Sequence, residues 1–198
     1  MERTVYLDRL LAKFGSSFDI YMPYQIKGIE YPAYAYHFTH QEKYVLVKKA
    51  NMWSADSYEH VLFMDTDVID EAVFERAKDI ITNYFEPELV RKGEKYPAKN
   101  HMYSYLTVVI IGNHYSDSKL ASKVKRYHFD KGYQLSIRGY SAGRIIAVTM
   151  DDEKVTTNSA ASKSGKVFKA VFEEVRANKP GFSAICEKQG VTPFKQEL

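Results

Sequence analysis

Residues 101–111 are the most apolar run of the chain and constrain its fold most strongly. The run opens on His101-Met102-Tyr103-Ser104-Tyr105 and closes on Leu106-Thr107-Val108-Val109-Ile110-Ile111. β-Branched residues dominate its second half, which suits a pleated strand. It is long enough for one strand and too short to cross a bilayer. Gly112-Asn113 supplies the turn that ends it. Consecutive apolar positions need cover on both faces, so the run reads as a central strand.

Charge is placed unevenly around this strand. Between Asp65 and Glu88 eight acids meet two bases, and between Ser118 and Thr149 seven bases meet one acid. The two blocks either complement each other or leave the basic one facing a partner. The net charge of +3 is too small to demand a polyanion. A single cysteine, Cys186, allows no internal disulfide and suits a reducing compartment. The first residues lead into no long apolar segment. No signal peptide and no membrane partner are therefore expected, and a cytoplasmic location is.

Periodicity orders the remaining elements. Leu7, Leu10, Leu11 and Phe14 share one face of a short helix. Phe18, Ile20 and Met22 alternate as a strand that Pro23 either confines to an edge or ends early. Tyr34, Tyr36 and Phe38 share a face of the next strand. Residues 39–42 read as a hairpin loop, 43–49 as a third strand, 54–56 as a turn and 58–64 as a fourth strand. Such even spacing predicts an antiparallel meander. Asp65-Thr66-Asp67 reads as the cap of a helix with Ile69, Val73, Ala77, Ile80, Ile81 and Tyr84 inward. Pro87 reads as the first residue of a further helical turn.

Asp117 or Ser118 then caps a basic helix with Leu120 and Val124 inward. Strands over 132–137 and 144–150 enclose a glycine-rich loop at 139–143, and Val167, Phe168, Val171, Phe172 and Val175 make a last helical stripe. The expected fold is α+β. Its sheet is largely antiparallel, an N-terminal meander plus the central strand 101–111, with helices packed on one face or at its ends. Residues 1–158 form the expected domain. Residues 159–198 are expected as a flexible link, a C-terminal helix and an arm that docks on this chain or a second copy.

Several residue sets suggest chemistry. Asp65 and Asp67 follow an apolar strand, where two carboxylates can hold a divalent cation against phosphates, as in many glycosyltransferases. Too little chain precedes Asp65 for the nucleotide-binding half of that fold, and helix capping explains the same residues. A helix, a meander, a helix and a strand is also the order of the restriction-endonuclease-like core. Its acid-x-Lys pair is missing, since Leu46 and Val47 precede Lys48 and Lys49. The six histidines form no helical pair and have no cysteine partner, so no metal and no other cofactor is expected. Lys123, Lys125, Arg126 and Lys131 mix with Tyr127 and Tyr133, a pattern suited to single-stranded nucleic acid. A solvated helix with inward aromatics produces the same pattern. Arg138 and Arg144 bracket the glycine-rich loop and either fork around an anion or pair with the acids of 65–88.

Lys43-Tyr44 with Lys48-Lys49-Ala50 and Trp53, the segment from His101 to Thr107, Gly139-Tyr140 with Arg144, and Thr157-Asn158 form a recognisable set. Together they resemble an uncharacterised family of small bacterial proteins of the Firmicute kind, over roughly residues 1–160. The resemblance implies a bacterial cytosolic protein and attaches no activity to it.

The leading expectation is a non-enzymatic binding or accessory module for a protein or a small anionic ligand. Its contact residues are Lys48, Trp53, His101, Tyr103, Arg138 and Arg144, polar or aromatic groups at predicted strand ends and loops. Nucleic-acid binding through the basic, tyrosine-rich residues 119–144, on a degenerate nuclease-like fold or another, is the first alternative. A metal-dependent transferase built on Asp65 and Asp67 is the second.

Overall fold

A computed structural model describes residues 1–43 and 53–196. The chain opens with helix α1 (Arg3–Phe14), edge strand β1 (Asp19–Tyr21) and a small hairpin, β2 (Tyr24–Ile26) and β3 (Ile29–Tyr31). Two long strands follow, β4 (Ala33–Lys43) and β5 (Trp53–Asp65), then the short β6 (Val68–Ile69). Helix α2 (Glu71–Ile80) continues into a wide-turn π-helix, Ile81–Val90. The central strand β7 (His101–Gly112) leads through β8 (His114–Tyr115) into α3 (Ser118–Arg126). Strands β9 (Asp130–Gly132), β10 (Tyr140–Thr149) and β11 (Lys154–Thr157) precede α4 (Gly165–Arg176) and α5 (Phe182–Gln189).

The main sheet runs β1-β4-β5-β7-β10-β11, with β9 also on β10. It is mixed, which corrects the largely antiparallel expectation. β7 is central and pairs in parallel with β5 on one side and β10 on the other. The cause is connectivity. A strand that reaches its neighbour through a crossover helix returns in the same direction, and helices join β5 to β7 and β7 to β10. On the N-terminal side of the main sheet, β1, β4 and β5 pair antiparallel in succession.

Helices cover both faces, not one. Leu62 and Met64 of β5, Leu106, Val108 and Ile110 of β7, and Ile145 and Ala147 of β10 pack under α2, the π-helix and α3. The alternate residues Val61 and Phe63, Val109 and Ile111, and Ile146 and Val148 pack against α1 and α4. No described helix is long and apolar enough to cross a membrane.

Local details depart from the sequence reading in four places. Residues 39–42 and 54–56 extend β4 and β5 instead of turning; the third strand expected at 43–49 falls largely outside the described residues. Asp70, not Asp65-Thr66-Asp67, caps α2, accepting the Val73 N–H at 2.8 Å. The short β6–β8 pairing delays the helix start. Pro87 lies inside the π-helix instead of starting a new turn, and its missing N–H leaves one bond out of that ladder. Finally, residues 134–138 are a turn, and β10 already begins at Tyr140 in the expected glycine-rich loop.

Asn158 completes the outer edge of β10. β9 pairs with its start and β11 with its end. In the gap, Asn158 Oδ1 accepts the Ile145 N–H at 3.1 Å, and Nδ2 donates to the carbonyls of Gly143 at 2.9 Å and Tyr127 at 3.2 Å. The C-terminal arm docks on its own chain. Phe194 adds a bridge to Tyr21, and Asp8 of α1 accepts both the Ser183 N–H and its hydroxyl at the start of α5.

Candidate functional site

Among the described residues, the face of the sheet under the π-helix is left open at the starts of β5 and β7. Rows of side chains across the strands line it. His40, Asp56 and His101 are register partners in one row, and Phe38 with Tyr58, then Tyr36 with His60, form the next two. A bulge near Asp56 and Ser57 leaves Met102 as the extra residue of β7. That bulge brings His101 onto the same face as Ser104, which it bonds.

The cleft has two lobes. A cavity of about 490 Å³ is walled by Tyr58, Tyr96, His101 and Arg138 together with the segment from Leu89 to Lys99. It carries five bases, Arg91, Lys92, Lys95, Lys99 and Arg138, against one acid, Glu94. The second lobe, about 730 Å³, is walled by Tyr21, Tyr24, Tyr34, Tyr36, Tyr58 and His60 and by the tail residues Phe194 and Gln196. Tyr58, Leu89 and Lys92 belong to both. These volumes are those of small-molecule sites.

Aromatic packing sets the floor. Tyr24 stacks on Tyr34 with ring centres 4.3 Å apart, and Tyr58 stacks between His60 at 6.5 Å and His101 at 5.9 Å. Tyr34 OH lies 2.7 Å from His60 Nδ1. His60 Nε2 is buried and has no hydrogen-bond partner among the described residues. Burial, with a smaller contribution from His101, pushes the His60 pKa down to about 3, so the ring is neutral.

His101 is neutral for the same reason. Burial lowers its pKa, against weaker opposition from the Arg138 carbonyl and Asp56. Nδ1 faces the Arg138 carbonyl at 2.9 Å and must donate to it, so Nε2 accepts the Ser104 hydroxyl at 2.8 Å. Ser104 is fully buried, so this pair fixes a tautomer and offers no accessible nucleophile. Gly139 makes the contact possible. A Cβ at that position meets the Met102 carbonyl oxygen at 2.0 Å, and the backbone runs at φ +73°.

Two ion networks hold the walls. Glu86, 3% exposed, takes Arg91 Nε at 2.7 Å, Lys131 Nζ at 3.0 Å and the Tyr133 hydroxyl at 3.1 Å. Burial raises the Glu86 pKa, but the Arg91 and Lys131 hydrogen bonds outweigh it and hold the carboxyl below its ordinary value. Asp56 accepts from His40 Nδ1 at 2.5 Å, from Tyr58 OH at 3.3 Å and from Asn100. By contrast, Lys92, Lys95 and Lys99 are exposed, with no carboxylate partner among the described residues.

The six residues expected as contacts do not form one site. His101 and Arg138 line the cleft together. Tyr103 and Arg144 lie on the opposite face of the sheet. There Arg144 stacks 3.4 Å from the Tyr105 ring centre and meets Glu59 at 3.5 Å. Arg138 and Arg144 therefore make no common fork, and Arg144 pairs with an acid outside 65–88. Lys48 lies outside the described residues, and Trp53 is described only as the first residue of β5.

In the basic segment, Lys125 and Arg126 are exposed, but Lys123 pairs with Glu71 at 2.6 Å and Lys131 with Glu86. Tyr133 is buried and Tyr127 packs against the core, so neither ring is a stacking platform. Asp65 and Asp67 are taken by Arg3, at 2.6 and 2.7 Å. No cluster of three or more metal-ligating side chains occurs among the described residues.

Sequence reasoning missed Tyr58, His60, Lys92, Lys95 and Lys99. The three lysines lie in the connection between the π-helix and β7. The lysine spacing around Tyr96 and Pro97 was the one signal available.

Fold and site define a mixed-sheet α+β protein with helices on both faces and an open cleft of aromatic floor and cationic rim. The chain belongs to the family described as domain of unknown function DUF8052, which matches residues 2–170. No curated protein and no solved structure matches it. The matched span holds all of the cleft except the tail residues.

Proposed function

We propose that the chain is a binding module for a small anionic ligand, a phosphate or carboxylate compound whose remaining part rests on the tyrosine lobe. The observation that carries this reading is the excess of bases in the smaller lobe, where Arg91 is paired with Glu86 but Lys92, Lys95 and Lys99 are unpaired by carboxylates among the described residues. Unpaired cations at one concave surface set up a field that concentrates anions. The tyrosines beside them offer flat apolar area with polar tips. The buried, neutral histidines contribute hydrogen bonding and no charge.

The test is calorimetric titration with inorganic phosphate, pyrophosphate and a nucleoside monophosphate. The triple variant Lys92→Gln, Lys95→Gln, Lys99→Gln is expected to bind the tightest of these at least about tenfold more weakly, and binding is expected to fall with salt. Equal affinity of the two proteins contradicts the reading.

A further inference from the structure

Leu135 has no structural reason to be leucine. Residues 134–136 run left-handed, with φ values of 49°, 55° and 66°. L-residues avoid that region, and asparagine is among the few that tolerate it. Leu135 is also 99% exposed, so it gains nothing from packing. Two residues on, Ile137 is 80% exposed.

The loop that carries them is closed by its own backbone. The N–H groups of Ile137, Arg138 and Gly139 donate to the carbonyls of Gln134, Tyr133 and Ser136 at 3.0, 3.1 and 3.1 Å. Two large apolar side chains are thus held outward on a tight projection. Exposed Met102, against whose backbone Gly139 packs, and Tyr140, beside Tyr103 with ring centres 6.2 Å apart, continue the surface at its root.

Cations stand on the other side of the same loop. Arg138 follows Ile137 directly, and its guanidinium shares the Tyr96 ring with Lys95, at 5.7 and 5.3 Å from the ring centre. Lys99 lines the same lobe. Apolar tips, a tyrosine collar and adjacent cations are the features with which a protein rests on an anionic bilayer. A protein partner calls for a broader contiguous patch than two side chains on one projection.

We propose that this edge docks on an anionic membrane surface. Leu135 and Ile137 enter below the headgroups, and the cationic lobe takes a lipid phosphate. The headgroup part rests on the anionic-ligand reading of the cleft; the insertion part rests on the loop alone.

The test is co-sedimentation with phosphatidylcholine vesicles, pure or mixed three to one with phosphatidylglycerol. It compares the native chain with Leu135→Asn/Ile137→Asn. Asparagine suits the left-handed position, so the loop keeps its shape. The native chain is expected to pellet with the mixed vesicles only, and the double variant to partition at least about tenfold less. Calorimetry with glycerol phosphate is expected to be the same for both proteins. Failure of the native chain to pellet overturns the inference, as does pelleting indifferent to the loop change or to phosphatidylglycerol. Glycerol phosphate binding that persists in that case leaves the cleft reading standing. A loop variant that instead changes the oligomeric mass in light scattering also overturns it, and marks the loop as a contact between copies.

Discussion

The Tyr34 hydroxyl and His60 Nδ1 lie 2.7 Å apart beneath the cleft, and the other nitrogen of that ring has no partner among the described residues. This pair ties the core to the site. Tyr34 belongs to the core cluster under the π-helix, while His60 is exposed to the cleft only at its edge.

Stability should therefore fall as the solution is acidified through the histidine range. The His60 pKa is about 3 in the folded chain, below its ordinary value, so the unfolded chain takes up the proton first. The contribution is complete above about pH 6.5 and is lost as pH falls toward the folded value, at about 1.4 kcal/mol per pH unit. Denaturant titrations of His60→Gln are expected to show a slope smaller by nearly one proton between about pH 6 and pH 4.5. A slope identical to the native one would show that His60 is not buried neutral.

Asn158 is 1% exposed and answers three backbone groups at once. Asn158→Leu strands the Ile145 N–H and the Gly143 carbonyl inside the sheet edge. Unmet groups of this kind cost about 1–3 kcal/mol each, so a loss of about 3 kcal/mol is expected with an unchanged denaturant slope. A loss below about 1 kcal/mol would mean that water reaches the gap between β9 and β11.

The tail forms one wall of the tyrosine lobe. The Phe194 N–H donates to the Ile20 carbonyl at 2.8 Å, the Met22 N–H to the Phe194 carbonyl at 3.1 Å, and Gln25 N–H to Gln196 Oε1 at 2.7 Å. Deleting residues 191–198 is expected to speed hydrogen exchange at Met22 and Gln25 and to leave Leu62 and Val108 protected. Unchanged protection at Met22 would show that the arm is not seated there in solution.

How much of this was legible depends on the range over which each signal acts. The central strand was, because an apolar run needing cover on both faces is a local property of residues 101–111. So were α1 and α3, whose stripes and the Asp117 cap lie within a few turns. Strand direction was not, because alternation along β5 or β10 reads the same in parallel and antiparallel pairing. The family resemblance held at the level of a family without assigned activity. Within the site, His101 and Arg138 stood out as polar residues at element ends. Tyr58 and His60 looked like ordinary strand filler, and their role emerges only when the bulge at Met102 aligns β7 against β5.

The most direct test of the account is to compare two arginines. Arg138 lines the cationic lobe, and Arg144 is stacked on Tyr105 on the far face of the sheet. Calorimetric titration with pyrophosphate is expected to show Arg138→Gln binding about tenfold more weakly than the native chain. Arg144→Gln is expected to bind as the native chain does. Loss of binding in Arg144→Gln with Arg138→Gln unaffected would contradict the account and move the ligand to the opposite face.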